Sequence, residues 1–298
     1  MSNTYIPLSG FKGEKGDQFM QDNGLVQLSR IIYEFCGLRF EDRLSILKEK
    51  TAKRVSELGL SYWEYCVYLK ATRAEWERLV EILTINETYF YREENQLHEC
   101  CSAVLPKLRE ENRIKPIKIW SAACSTGEEP YTLAMLIQES GYFLPGKVEI
   151  VATDINKKVL QKAEQGWYHN GSFAFRRIPE GLFKKYFIEK DNGYQVHPSI
   201  KNMVTFRHAN LLDRPEMSTI GQVDVIFCRN VLIYFDKETT RKVIQNLSQN
   251  LKSGGYLFLG HAESITDMDL GFKKVDSEKT FYYRKEPCQD EAIRNISS

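Results

Sequence analysis

Ile117-Lys-Ile-Trp-Ser-Ala-Ala-Cys124-Ser-Thr-Gly-Glu-Glu-Pro130 is a short apolar run that ends in small residues and then breaks into a turn. Pro130 suits the first turn of a helix, where its missing N–H costs nothing, and Tyr131 to Glu139 continues that helix. The order is strand, loop, helix, and it repeats downstream. Val148 to Asp154 predicts a second strand with a helix near Lys157 to Gly166, Met203 to His208 a third strand, and Val223 to Cys228 a fourth. Lys237 to Leu251 carries the apolar stripe of an amphipathic helix, ended by Gly254-Gly255, and Tyr256 to Gly260 predicts a fifth strand. Phe272 to Val275 and Thr280 to Arg284 form a last antiparallel pair. Strands alternating with helices at this spacing predict an α/β fold built on a doubly wound, Rossmann-like sheet. An extra stretch, Pro179 to Ile200, separates the second and third strands. It holds Tyr186-Phe-Ile, a turn at Asp191-Asn-Gly193, and Tyr194-Gln-Val196. Asn-Gly between such runs is a hairpin signal, so a small antiparallel β-subdomain is expected at about residues 180–207.

Upstream, from Leu25 to Leu108, the period changes from two to 3.6. Leu28, Ile31, Ile32 and Phe35 lie on one helix face, closed by Gly37; Leu44, Leu47, Thr51, Val55 and Leu58 mark a second helix, closed by Gly59. Ser61 can cap a third helix from Tyr62 to Leu69, with further helices over Ala74 to Ile82 and Glu93 to Leu108. The expected organisation is a loose arm over residues 1–21, a helical domain over 22–110, the α/β domain over 115–286, and a flexible tail over 287–298.

The 41 Lys and Arg nearly cancel the 40 Asp and Glu, leaving a net charge of +1. Global charge therefore gives no support for a nucleic-acid partner. No apolar run approaches the roughly 18–20 residues of a membrane span, and the polar first 21 residues lack the apolar segment of a secretory signal. The seven cysteines, Cys36, Cys66, Cys100, Cys101, Cys124, Cys228 and Cys288, form no C-x-x-C pair. They read as free thiols of a cytoplasmic protein with no metal site.

Ligands of open α/β sheets bind beyond the carboxyl ends of the strands, which points to the Cys124–Pro130 loop and to Asp154. That loop has one glycine, Gly127, and two consecutive acids, Glu128 and Glu129. Acids at a helix N-terminus repel a pyrophosphate and favour a cationic ligand such as the sulfonium and amino groups of S-adenosylmethionine. Equally, the helix dipole favours acids there without any ligand; the local pattern leaves both readings open. Asp154 is placed to accept hydrogen bonds from a ribose diol. Two further clusters stand out: Asn86-Glu-Thr88-Tyr-Phe-Tyr-Arg92 before a helix, and Phe227-Cys-Arg229-Asn230-Val-Leu-Ile-Tyr234-Phe-Asp236 at the fourth strand's end.

Together with Trp120-Ser-Ala-Ala-Cys-Ser-Thr-Gly-Glu-Glu-Pro-Tyr131, Ala152-Thr-Asp154, Asn210-Leu-Leu and Gly260-His-Ala-Glu-Ser264, these clusters resemble the CheR family of chemoreceptor glutamate methyltransferases. The resemblance runs from about Leu25 to Arg284. It implies a class I methyltransferase sheet with a helical N-terminal domain and an inserted β-subdomain. It also implies a cofactor, S-adenosylmethionine, leaving as S-adenosylhomocysteine, lined by Asn86, Thr88, Arg92, Glu129, Asp154, Asn210, Leu211, Arg229 and Asn230. Arg92 and Tyr234 are then expected nearest the transferring methyl.

Lys50, Lys53 and Arg54 fall at helical spacing, with Arg43 a turn or two back. Such a run is commonly a solvated face; the resemblance makes it the face that meets an acidic, glutamate-bearing receptor bundle. The loop at Asp191-Asn-Gly193 looks shorter than in family members that bind a receptor's C-terminal tether peptide, so tether-independent docking by a monomer is expected. The competing readings are a methyltransferase of RNA or a small molecule, and a non-catalytic scaffold that keeps the cofactor.

Overall fold

A computed structural model of the chain describes residues 14–111, 113–144 and 146–287. Residues 288–298 of the expected tail, Cys288 among them, lie outside these, as do the first 13 residues of the expected arm. The chain divides into two compact units at Leu83/Thr84.

The first unit is helical: α1 (Glu14–Cys36), α2 (Leu44–Glu57), α3 (Tyr62–Ala71) and α4 (Arg73–Leu83). Helix α1 begins eleven residues before the Leu25 onset read from periodicity (25 − 14), inside the stretch expected to be a loose arm. Its contact with α3 is close because Gly24 has no side chain; a Cβ there would stand 2.7 Å from the Trp63 backbone nitrogen. Ser61 caps α3 as expected, in a full capping box: its hydroxyl accepts from Glu64 N–H, and Glu64 accepts from Ser61 N–H at 2.7 Å. Leu28, Ile32, Leu47, Tyr65 and Leu69 are buried as this unit's core.

The second unit opens with α5 (Glu94–Glu99) and α6 (Leu105–Glu111), joined by a π-helical stretch, Cys100–Val104. The sequence places these helices in the N-terminal domain. The structure places them with the sheet: Leu97, Cys100, Val104 and Leu105 share its core with Ile119 and Phe258, and Gln96 Nε2 donates to the Leu259 carbonyl at 2.7 Å. The core elements then follow as β1 (Ile117–Ala122), α7 (Glu128–Ser140), β2 (Val148–Asp154), α8 (Lys157–Gln165) and β3 (Trp167–His169). Next come α9 (Glu180–Tyr186), β4 (Phe187–Lys190), β5 (Gly193–Val196), α10 (Pro198–Lys201), β6 (Val204–His208) and α11 (Arg214–Ser218). The last are β7 (Val223–Cys228), α12 (Lys237–Asn250), β8 (Leu251–Leu259), β9 (Phe272–Asp276) and β10 (Phe281–Lys285).

Seven strands form one sheet in the order β6-β2-β1-β7-β8-β10-β9. The first five run parallel; β10 and β9 pair antiparallel at one edge. Alternate residues of β1 enter opposite cores, Ile117 and Ile119 on one face and Trp120 and Ala122 on the other. The strand order reverses between β1 and β7, which makes the crevice above their carboxyl ends the place for a ligand.

Two local expectations change. Gly254-Gly255 does not end a helix; α12 stops at Asn250, and both glycines lie in β8, where the register slips from Val223↔Leu251 to Val225↔Tyr256. The inserted subdomain starts earlier than Pro179, because β3 pairs with β5 to give a three-stranded sheet, β3-β5-β4. Its hairpin turn is Asp191-Asn192, both at positive φ (49° and 58°), as a two-residue type I′ turn requires. Gly193 serves the packing instead: a Cβ there would stand 2.5 Å from the Trp167 ring and the Tyr168 carbonyl.

Candidate active site

The loop from β1 to α7 is wound tightly, with Ala123, Ser125 and Gly127 all at positive φ. Gly127 is required there, since a Cβ would meet Ala163 Cβ at 2.9 Å. The winding turns Ser125 N–H toward the end of β2, where it donates to Asp154 Oδ2 at 2.9 Å; Asn156 N–H donates to Oδ1 at the same distance. Burial pushes the Asp154 carboxyl above the usual carboxylate range, and these two backbone donors only partly offset it. Each oxygen has accepted one of these bonds and has lone-pair capacity left.

The Asn86–Arg92 segment joins the same end of the sheet. Ser125 Oγ donates to the Asn86 carbonyl at 3.1 Å, and Asn156 Nδ2 donates to Thr84 Oγ1 at 2.9 Å. Asn210 arrives from the β6 side, where Ala209 N–H donates to the Asp154 carbonyl and Asn210 Oδ1 tightens the turn by accepting Leu212 N–H. Leu211 is buried beside it; Thr88 and Tyr234 are half-buried.

Arg229, one of the residues expected to line the cofactor site, is held by the protein's own charges. Its side chain is 2% exposed, and its Nη1 donates to Glu129 Oε2 at 3.0 Å. Its Nη2 donates to Glu93 Oε2 at 3.1 Å and to the Arg92 carbonyl at 2.6 Å. Two carboxylates in a poorly solvated crevice need a counter-ion, and Arg229 supplies it, bracing the Arg92 segment against α7. Asn230, in the left-handed region at φ 58°, donates from Nδ2 to Glu93 Oε1 at 3.1 Å.

Glu93 and Glu263 are site residues that sequence reasoning missed. Burial works to raise the Glu93 carboxyl, but Arg229, Asn230 and His261 together hold it below the usual range. Glu263, 4% exposed, accepts backbone N–H groups of Gly260, Asn230, Leu232 and Ile233, which locks the β7 and β8 exits together. The only signals were position: Glu93 follows Arg92, and Glu263 lies in the Gly260–Ser264 stretch.

The donor chemistry fits a positively charged nucleoside. Asp154, Glu129 and Glu93 stand at the ends of β2, β1 and β7, and the guanidinium buried among them is already held by two carboxylates. A pyrophosphate at the start of α7 would meet the Glu129 carboxylate, which disfavours it.

A model of the S-adenosylmethionine-binding domain of CheR methyltransferases matches residues 86–281. The chain belongs to the CheR methyltransferase family. Among CheR relatives, chemotaxis protein methyltransferase 2 of Vibrio cholerae is 35% identical over 88% of this chain and 93% of its own length. The chemotaxis protein methyltransferase of Salmonella typhimurium is 31% identical over 84% and 86%. The CheR chain is thus a methyltransferase that uses S-adenosylmethionine, and its seven-stranded sheet is the class I methyltransferase fold expected from the sequence. No described helix is long and apolar enough to cross a membrane.

Of the four cations expected to meet substrate, Arg54 is committed within the first unit. Its Nε and Nη2 grip the two oxygens of Glu75 at 2.9 and 2.7 Å, and Glu75 is 3% exposed and also accepts from Tyr65. A buried carboxylate needs that partner, so Arg54 is a structural ion pair. Arg43 and Lys53 are exposed, and Lys50 is half-buried.

Proposed function

We propose that the chain is a cytoplasmic protein-glutamate O-methyltransferase that forms glutamate γ-methyl esters on the helical bundle of chemoreceptors and so adapts chemotaxis signalling. The names of its relatives support the acceptor. One observation supports the carboxylate: Arg92 is a half-buried guanidinium that donates to the Glu87 carbonyl at 2.8 Å and makes no ion pair among the described residues. It is therefore able to take one.

When bound, S-adenosylmethionine supplies an electrophilic methyl on a sulfonium. A glutamate side chain, with an ordinary pKa near 4.3, is already ionised at neutral pH, so no general base is assigned. The chain's task is alignment and removal of water. Asn86, Thr88, Glu129, Asp154, Asn210, Leu211 and Asn230 hold the cofactor in this reading, with Arg229 acting through Glu129 and Glu93. Arg92 and Tyr234 orient the acceptor. A cation that gripped the ground-state carboxylate too firmly would slow the reaction, because its charge fades as the sulfonium is neutralised.

Tritiated methyl transfer from S-adenosylmethionine to receptor-rich membranes is expected to give a base-labile product; base-stable label, as on amines or RNA bases, would overturn the ester assignment. Arg92→Ala should lower kcat/KM by about 10²-fold, the scale of losing an orienting contact. Unchanged kinetics would remove it from the site.

The exposed Arg43 and Lys53, with Lys50, serve in this proposal as a steering face for the acidic bundle. The two-residue turn of the β4–β5 hairpin supports tether independence, since it offers a peptide little loop to hold. Calorimetric titration with a receptor's C-terminal peptide should show no micromolar binding; a micromolar Kd would reverse this.

A further inference from the structure

An acceptor protein needs a surface beside the pocket, and one patch of the second unit has the composition for it. Phe173 is 80% exposed, on a single 3-10 turn, Phe173–Phe175. The turn is firmly backed: Phe90 N–H donates to the Ala174 carbonyl at 2.9 Å, and the Phe175 ring stacks on Phe90 at 5.7 Å. A lone exposed ring is ordinary. This one adjoins arginines.

Arg176 lies 3.8 Å above the Tyr89 ring and bonds Glu87 Oε1 at 2.9 Å. Arg92 lies 5.7 Å from the same ring and bonds the Glu87 carbonyl. Sharing both partners makes Arg92 and Arg176 neighbours. Arg177, next in the chain, is exposed and makes no ion pair among the described residues. Two arginines thus share Glu87 and the Tyr89 ring, and a third, Arg177, follows Arg176 in the chain.

Resting on the carboxylate-acceptor reading above, we propose that the Phe173–Arg177 turn is the docking ledge for the acceptor: an acidic helical segment that lays an apolar residue on Phe173 and carboxylates on Arg176 and Arg177, with the reacting glutamate at Arg92. An aromatic anchor beside arginines is the usual make-up of a binding hot spot, and the guanidinium fork suits carboxylates. A lipid surface fits less well, because one ring gives too little apolar area for stable membrane binding.

The test compares full-length wild type with Phe173→Ser/Arg177→Glu on receptor-bearing membranes. The double variant should raise the receptor KM by about ten-fold or more, the scale of a hot-spot loss, while calorimetry shows S-adenosylhomocysteine affinity retained. Should that affinity fall, Phe173→Ser alone carries the test. An unchanged KM sinks the ledge, as does wild-type flotation on receptor-free anionic vesicles that the variant loses. If wild type forms no base-labile ester, the glutamate reading fails by itself. The ledge is then judged by sedimentation with receptor membranes, where equal retention of both proteins rejects it and selective loss of the variant supports it.

Discussion

Arg229→Met is expected to cost about 3–5 kcal/mol of folding stability, the usual consequence of removing one partner from a buried ion pair, and to abolish measurable S-adenosylhomocysteine binding. The guanidinium stands between Glu93 and Glu129 with its side chain 2% exposed, and it also holds the Arg92 carbonyl. Without it two carboxylates share a crevice with no counter-ion, and the Asn86–Arg92 segment loses its tie to α7. Arg229→Lys keeps the charge but not the fork that reaches both acids, so it should recover only part of the loss. Adding Glu93→Gln and Glu129→Gln to Arg229→Met removes the stranded charges, and stability should return while ligand binding does not. Urea unfolding midpoints and calorimetry on the four proteins decide this. A wild-type midpoint for Arg229→Met would mean the triad bears no weight.

That triad also shows where sequence reading stops. Asp154 and Glu129 were legible because a general rule puts ligand-facing groups at strand ends, and strand ends follow from period-two apolar runs such as Val148 to Asp154. Glu93 and Glu263 were not, because an acid in a polar loop reads like any solvated acid. Only the fold reveals that Glu93 collects Arg229, Asn230 and His261, drawn from positions more than 130 residues away. Arg229 stands out in the sequence as a charge that does not belong in a core, but its pairing with Glu93 and Glu129 is read only from the fold.

The fold divides in the same way. Caps, the β4–β5 hairpin and the parallel strands come from short-range chemistry, and they were predicted from it. Along α5 and α6, Gln96 reaches Leu259 while Leu97, Val104 and Leu105 join the core of the sheet, and the path of β8 depends on a bulge against Val223–Val225. Neither leaves a local trace. Gly254-Gly255 reads as a helix stop because glycine pairs usually are one; here Gly254, at φ 72°, serves an irregular strand instead.

Glu128 yields the second large effect, and it is a pH effect. The side chain is 3% exposed, and Thr126 Oγ1 is its hydroxyl partner, at 2.7 and 2.9 Å from the two oxygens. Burial pushes its pKa up from an ordinary 4.5 to about 7, with Thr126, its own backbone N–H and Lys162 only partly opposing. The folded chain therefore keeps a proton on Glu128 that the unfolded chain releases near pH 4.5. Between those values the folded state binds more protons, so stability falls as pH rises through the window. At about 1.4 kcal/mol per unit, the loss by pH 8 is on the order of 3 kcal/mol. Glu128→Gln mimics the protonated form and keeps an acceptor for Thr126. It should match wild type near pH 4.5 and exceed it progressively to about 3 kcal/mol at pH 8. Asp154 and Glu263 are raised by burial too, but both proteins carry them, so they cancel in the difference. Denaturation midpoints of the pair at pH 5, 6, 7 and 8 provide the measurement. Curves that stay parallel across this range would show that Glu128 is ionised throughout and that its burial is compensated by something other than a proton.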